Sequence, residues 1–210
     1  DRWRLYISFP LGTALLGVFG FGMMAWYPTF LIRTHGMSIG EAGAWFGLMY
    51  LVYGTAGSYF GARLAEILHR RGHRDGHMRL IMLAAIAMTV PGIIGPLLPS
   101  APLALLALAP TIFLKSSYYG SSGAALQLVT PNQMRAQVTA VQIFFGNIIG
   151  MTVGASSIAA LTDFVFVDDN ALRYSLAWVA AVFCPAGALV LKSCLRTYVK
   201  ALDEAASRND

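Results

Sequence analysis

Apolar positions along the chain fall into six long stretches separated by short polar connections. They run approximately over 9–32, 43–68, 80–98, 103–129, 133–161 and 174–197. Each is close to the roughly 20 residues that carry an α-helix across about 30 Å of hydrocarbon, and too long for an ordinary core helix. Glycines are frequent inside the stretches, and Pro28, Pro91, Pro110 and Pro185 interrupt them singly. A membrane bundle tolerates such residues because neighbouring helices satisfy the freed backbone groups. The pattern predicts an all-α integral membrane bundle of six transmembrane helices.

Composition agrees. Hydrophobic residues make up 57% of the 210 positions and charged residues 12%, against about 45–50% and about 25% in soluble domains. Mean hydropathy is +0.61. The net charge of +5 could suit a nucleic-acid partner, but the basic residues sit in short connections and form no stripe on a polar domain, so none is expected. Cys184 and Cys194 offer neither a metal pair nor a disulfide framework and read as packing residues. The opening "DRWRLYISFP" lacks the three regions of a cleavable signal, and the chain reads as a piece of something longer.

Charge gives an orientation. Arg2 and Arg4 precede the first stretch, Arg70, Arg71, Arg74 and Arg79 surround the second connection, Arg135 follows the fourth stretch, and Lys192, Arg196 and Lys200 end the sixth. The opposite connections hold only Arg33 and Arg173 as basic residues, while Asp163, Asp168 and Asp169 suit an external aqueous loop. The positive-inside rule puts both ends of the segment in the cytoplasm, in a multi-pass cell (inner) membrane protein.

Glycine recurs at helical spacing: Gly43 with Gly47, then Gly54, Gly57 and Gly61, and later Gly146, Gly150 and Gly154. Such ladders let backbones approach closely at helix crossings, and smooth faces also allow helices to rock. His69, His73 and His77 recur every four residues, but Gly72 and Gly76 oppose a rigid helix and the neighbouring arginines repel a cation, so no metal is expected. No Ser/His/Asp or HExxH pattern lies in the stretches, and the chain is not read as an enzyme. No cofactor is implied.

Lys115, in "FLKSSYYG", lies about 12 to 14 residues from either end of the fourth stretch, roughly 18–20 Å at 1.5 Å per residue. Its stem reaches about 6 Å, so it cannot snorkel out, and exposure to lipid costs roughly 2.5–3.5 kcal/mol. Tyr118, Tyr119 and Ser122 share its helix face. Two readings stay open: a lysine lining a polar cavity, or one satisfied by a phenol or helix carbonyls without a ligand. Ser116, Gly120, Gly123 and Gln127 form a second stripe suited to helix packing. Tyr27, Tyr50, Tyr53, Gln142 and Asn147 are further cavity candidates. Gln142 and Asn147 stand about 140° apart on a helix, which argues against one shared space. The deeper Asn147 is preferred, with Gln142 bonding between helices.

The segment "GARLAEILHRRG" resembles the cytoplasmic gate motif of the major facilitator superfamily, through Ala62, Leu64, Ala65, Glu66, Arg70 and Arg71, with His69 at a position usually glycine. Trp26, Pro28, Arg33, His35-Gly36-Met37-Ser38 and Gly43, followed by Pro131, Met134-Arg135-Ala136, Asn147, Gly150, Gly154 and Thr162-Asp163, resemble the spinster branch over most of the chain. The resemblance implies the C-terminal six-helix half of a twelve-helix carrier, with the N-terminal half as its missing partner.

In that fold the first and fourth helices line the central cavity and the third and sixth lie outermost. This makes Lys115, Tyr118, Tyr119 and Tyr27 cavity residues, with Tyr53 and Asn147 beside them, and Glu66, Arg70, Arg71 and Arg135 the cytoplasmic gate. Glu66 is expected to pair with an arginine of its own motif or with Arg135. The implied activity is secondary transport of an amphiphilic anion, lysophospholipid- or sphingosine-phosphate-like, by rocker-switch alternating access. A proton is the implied coupling partner, acting mostly on acids of the other half, and the bilayer is the medium. The alternatives are a carrier of small organic anions such as sugar acids, and a non-transporting membrane scaffold or receptor.

Overall fold

A computed structural model describes residues 2–206 except Arg74. Arg74, named above as a cytoplasmic charge, lies outside the described residues. The described chain is almost wholly helical: α1 (Arg2–His35), α2 (Ile39–Met49), α3 (Thr55–Arg70), α4 (Gly76–Leu97), α5 (Ala101–Val129), α6 (Arg135–Ile148), α7 (Gly154–Ala160) and α8 (Leu172–Ala206). A π-helical segment, Tyr50–Gly54, joins α2 to α3, another, Ile149–Val153, joins α6 to α7, and a third, Leu161–Phe166, extends α7. The second and fifth stretches are therefore single long helices with a wider turn inside each.

The helices overrun the apolar stretches because helical hydrogen bonding continues wherever chain geometry allows, and stops at specific signals. Gly36, at φ 67°, closes α1 in the left-handed conformation. Its N–H donates to the Ile32 carbonyl at 3.1 Å and that of Met37 to Leu31 at 3.4 Å, which caps the last turn. Ser38 then opens α2 with a reciprocal capping box to Glu41. Gly72, at φ 88°, ends the helix after α3, so His73 stands in a turn and shares no helix with His77. Among the described residues no cluster of three His, Cys, Asp or Glu side chains could hold a metal.

Five described helices are long and apolar enough to cross a membrane: Trp3–His35, Gly76–Leu97, Ala101–Val129, Asn132–Phe166 and Leu172–Ala205. The second expected span, helical over 39–70, is not among them. Glycine, tyrosine and hydroxyl side chains dilute its hydropathy, and it is held instead by packing on α5.

That packing is close. A Cβ at Gly57 would collide with the Phe113 carbonyl, and one at Gly61 would stand 2.6 Å from the Ser117 Cα. The Ser117 hydroxyl donates to the Gly57 carbonyl at 2.8 Å. The tight face of α5 is thus Phe113–Ser117, not the Ser116–Gly120–Gly123–Gln127 stripe: Gly120 and Gly123 have nothing within 4 Å of a Cβ position. Gly154 meets the Val18 carbonyl of α1 in the same way, whereas Gly43, Gly47 and Gly146 face open space. Each ladder packs through only part of its length.

The third and sixth spans, α4 and α8, pack on each other, with α4 also against α5 and α8 against α1. Polar tips of buried aromatics tie the bundle together. Tyr27 donates to the Ala104 carbonyl at 2.9 Å, Trp26 to Ala155 at 3.0 Å and Tyr198 to Ala125 at 3.0 Å. Each bond gives the polar tip of a buried aromatic a partner on a neighbouring helix, which an apolar medium would not supply. Cys184 and Cys194 are buried free thiols.

Candidate functional site

α1, α3, α5 and α6 enclose a cavity of about 350 Å³ on the side away from α4 and α8. From α5 it receives Lys115, Ser116, Tyr118, Tyr119, Ser122 and Gly123; from α1, Thr13, Gly17 and Phe21; from α3, Ser58; from α6, Thr139, Gln142, Ile143, Gly146 and Asn147. The α1 contribution falls at every fourth residue and the α6 contribution at i, i+3, i+4, i+7 and i+8. One continuous face of each helix borders the space.

Lys115 is half-buried at this wall. Its stem lies across α1 where Gly20 leaves room: a Cβ at Gly20 would stand 2.9 Å from the lysine Cε. The ammonium donates to the Tyr50 hydroxyl at 3.0 Å and lies 5.1 Å from the Tyr50 ring centroid and 5.8 Å from that of Phe21. The two readings of Lys115 therefore coexist, since it bonds a phenol and lines a cavity. Among the described residues no carboxylate forms a salt bridge with it.

The remaining sequence candidates divide. Tyr118 forms part of the wall with 2% of its surface exposed, while Tyr119, 55% exposed, lies at its edge. Asn147 lines the cavity half-buried. Tyr27 does not reach it. It stands six residues beyond Phe21, about 240° round α1, and points into the core between α4 and α5 beside Phe19, Met23 and Leu108. The first helix lines the cavity with one face only.

Tyr53 also lies outside the lining and packs half-buried against the core. It sits in the π-helical segment, where each residue turns through less than the about 100° of an α-helix. Three steps from Tyr50 then carry it off that residue's face. Tyr50, at the start of the segment, is the second-span tyrosine that meets Lys115.

Gln142 and Asn147 both border the cavity, contrary to the helical-angle argument, because the space spans the whole arc between them on α6. Gln142 is the more buried, 7% exposed, and forms no bond between helices: its Oε1 has no hydrogen-bond partner. A glutamine in an apolar stretch was the signal for it, but only the fold shows which way it faces.

At the opposite end of α3, Arg70 donates to Glu66 at 2.6 Å and Arg63 stands 3.8 Å from it. Arg71 is exposed in the following turn. Arg135 donates to the Thr130 carbonyl at 3.2 Å, which caps the end of α5.

Comparison with known proteins decides the architecture. The chain superposes on crystal structures of a bacterial homolog of the human lysosomal transporter Spinster, with TM-scores of 0.62 to the inward-facing unoccupied form and 0.63 to the occupied form. The superpositions cover 96% and 97% of this chain at 19% identity. The chain shares the fold of the part of those transporters that it covers.

It spans about half of those solved chains, 46% and 48%. A curated relative, an MFS-type efflux pump of Mycolicibacterium smegmatis, is 30% identical over 152 residues, which cover 72% of this chain and 35% of the pump. No protein-family profile matches. With its long apolar helices and this shared fold the chain is a multi-pass membrane protein, and its cavity borders the first, second, fourth and fifth spans.

Proposed function

We propose that this chain is the C-terminal half of a proton-linked secondary transporter that moves an amphiphilic anion, lysophospholipid- or sphingosine-phosphate-like, by rocker-switch alternating access. One observation carries the reading: the half-buried Lys115 ammonium faces the cavity with a neutral phenol as its hydrogen-bond partner. A desolvated cation beside a phenol lacks the counter-charge that would compensate its burial. An anionic head group supplies that charge through charge-assisted hydrogen bonds, while Phe21 and Ile143 offer apolar surface to the start of a tail.

The matching N-terminal half would complete the cavity, and rocking of one half against the other would expose it to each side in turn. The ionisable side chains that this half gives the lining are Lys115, Tyr118 and Tyr119, so we assign the proton-linked acids to the other half. Glu66, Arg70, Arg71 and Arg135 would serve as the cytoplasmic gate, with both chain ends on that side. The relative described as an efflux pump supports outward movement.

A second reading, a carrier of small organic anions such as sugar acids, rests on the same lysine, which would pair with a carboxylate as it would with a phosphate. The test is efflux of labelled lysophospholipid and of a labelled hexuronate from proteoliposomes holding the full-length carrier. Lysophospholipid flux abolished by Lys115→Ala in a protein that still folds is the expected result. Flux of the hexuronate alone would replace the lipid reading with the second one. Affinity unchanged by Lys115→Ala would reassign the lysine to structure.

A further inference from the structure

Gln142 presents the cavity with a buried polar group that the fold leaves unused. Its side chain is 7% exposed, it borders the same space as Lys115, and its Oε1 accepts no hydrogen bond. Buried amide groups are ordinarily paired, and leaving one unmade costs free energy that an apolar side chain of the same shape would avoid. Its neighbours on the lining face of α6, Thr139, Ile143 and Gly146, include an apolar residue and a glycine.

We propose that Gln142 is a second recognition group of the cavity, reading a hydroxyl placed beside the anionic group that Lys115 takes. A hydroxyl both donates and accepts, so it suits the amide whichever way its oxygen and nitrogen are turned. Two-point recognition needs one ligand to touch both side chains, and both border the same cavity. The substrate class narrows to hydroxylated anions, since a ligand lacking the hydroxyl leaves the buried amide unpaired. The inference rests on the anion reading above.

The test uses the full-length carrier in nanodiscs and two probes, oleoyl glycerol phosphate and its deoxy counterpart, oleoyl propanediol phosphate, which differ by one hydroxyl. The wild type is expected to bind the hydroxylated probe about tenfold more tightly. Gln142→Leu should erase that preference while keeping the affinity for the deoxy probe. Gln142→Met, nearer in shape, gives the same readout should the leucine variant fold poorly. Lys115→Ala should lose both probes.

Equal affinities in the wild type, or a preference that survives both Gln142 variants, overturns the role of Gln142 and leaves the anion reading standing provided Lys115→Ala still loses binding. Binding insensitive to Lys115→Ala, or absent for both probes in the wild type, overturns the anion reading and this inference with it.

Discussion

The Lys115 ammonium and the Tyr50 hydroxyl meet at 3.0 Å across 65 residues of sequence, joining the fourth span to the start of the π-helical turn in the second. The phenol fixes where the charge sits. Tyr50→Phe keeps the ring and removes the oxygen, so anionic probe affinity should fall about three- to tenfold, the worth of one hydrogen bond, with thermal stability nearly unchanged. Titration of the purified variant checks this; wild-type affinity would show that Tyr50 does not orient the lysine.

Gly20 provides the trough for the lysine stem, since each of the three nearest heavy atoms to its Cβ position belongs to Lys115. The stem is flexible and can swing aside. Gly20→Val should therefore cost little stability but displace the ammonium from Tyr50, and anion binding should drop by about tenfold or more. A variant that melts early without losing affinity would mean that the trough serves packing alone.

The glycines of the second span should respond unequally. At Gly61 an added Cβ meets α5 at Ser117, 2.6 Å from its Cα, and backbone cannot yield as a side-chain tip does. Gly61→Ala is expected to cost about 1–3 kcal/mol by overpacking. Gly43→Ala faces open space and should be neutral or slightly stabilising, by up to about 1 kcal/mol from helix propensity. Melting of both variants in one detergent compares them, and equal losses would contradict the packing assigned to α3 and α5.

The capping box at the start of α2 carries a pH dependence. The hydroxyl of Ser38, and then its backbone N–H, hold the Glu41 carboxyl below the usual glutamate range. A depressed folded-state pKa stabilises the fold above the unfolded value and ceases to do so as pH falls through the folded one. Amide exchange at the first turn of α2 should therefore quicken as pH drops below the ordinary glutamate range, after correction for intrinsic exchange. Ser38→Ala should remove that step; a step of the same size in the variant would assign it to another group.

Much of the site was legible before the fold. The depth of Lys115 in an apolar stretch demanded a polar environment, and the 115–118–119–122 spacing put its companions on one face; all four border the cavity. Tyr27 and Tyr53 lie outside the lining because membership of a lining helix does not fix a residue's phase. Tyr27 sits on the core face of α1, and the π-helical turn rotates Tyr53 away. Gln142 and Asn147 were set apart by an angle that is right for the helix but says nothing about the width of the space it faces.

The sequence by itself determined that the chain crosses a membrane as a helical bundle and that Lys115 is too deep to reach water along its own stem. These follow from local chemistry: hydrocarbon thickness, hydrogen bonding within a helix and the reach of a side chain. Only the tertiary structure decided that Lys115 bonds Tyr50 over Gly20, that Gly57 and Gly61 seat α5 while Gly43 and Gly47 seat nothing, and that Gln142 borders the cavity with its amide oxygen buried and unpaired. Those facts depend on the rotation of each helix about its axis and on where neighbouring backbones approach. Both are set by packing among all the helices at once, which no single stretch encodes.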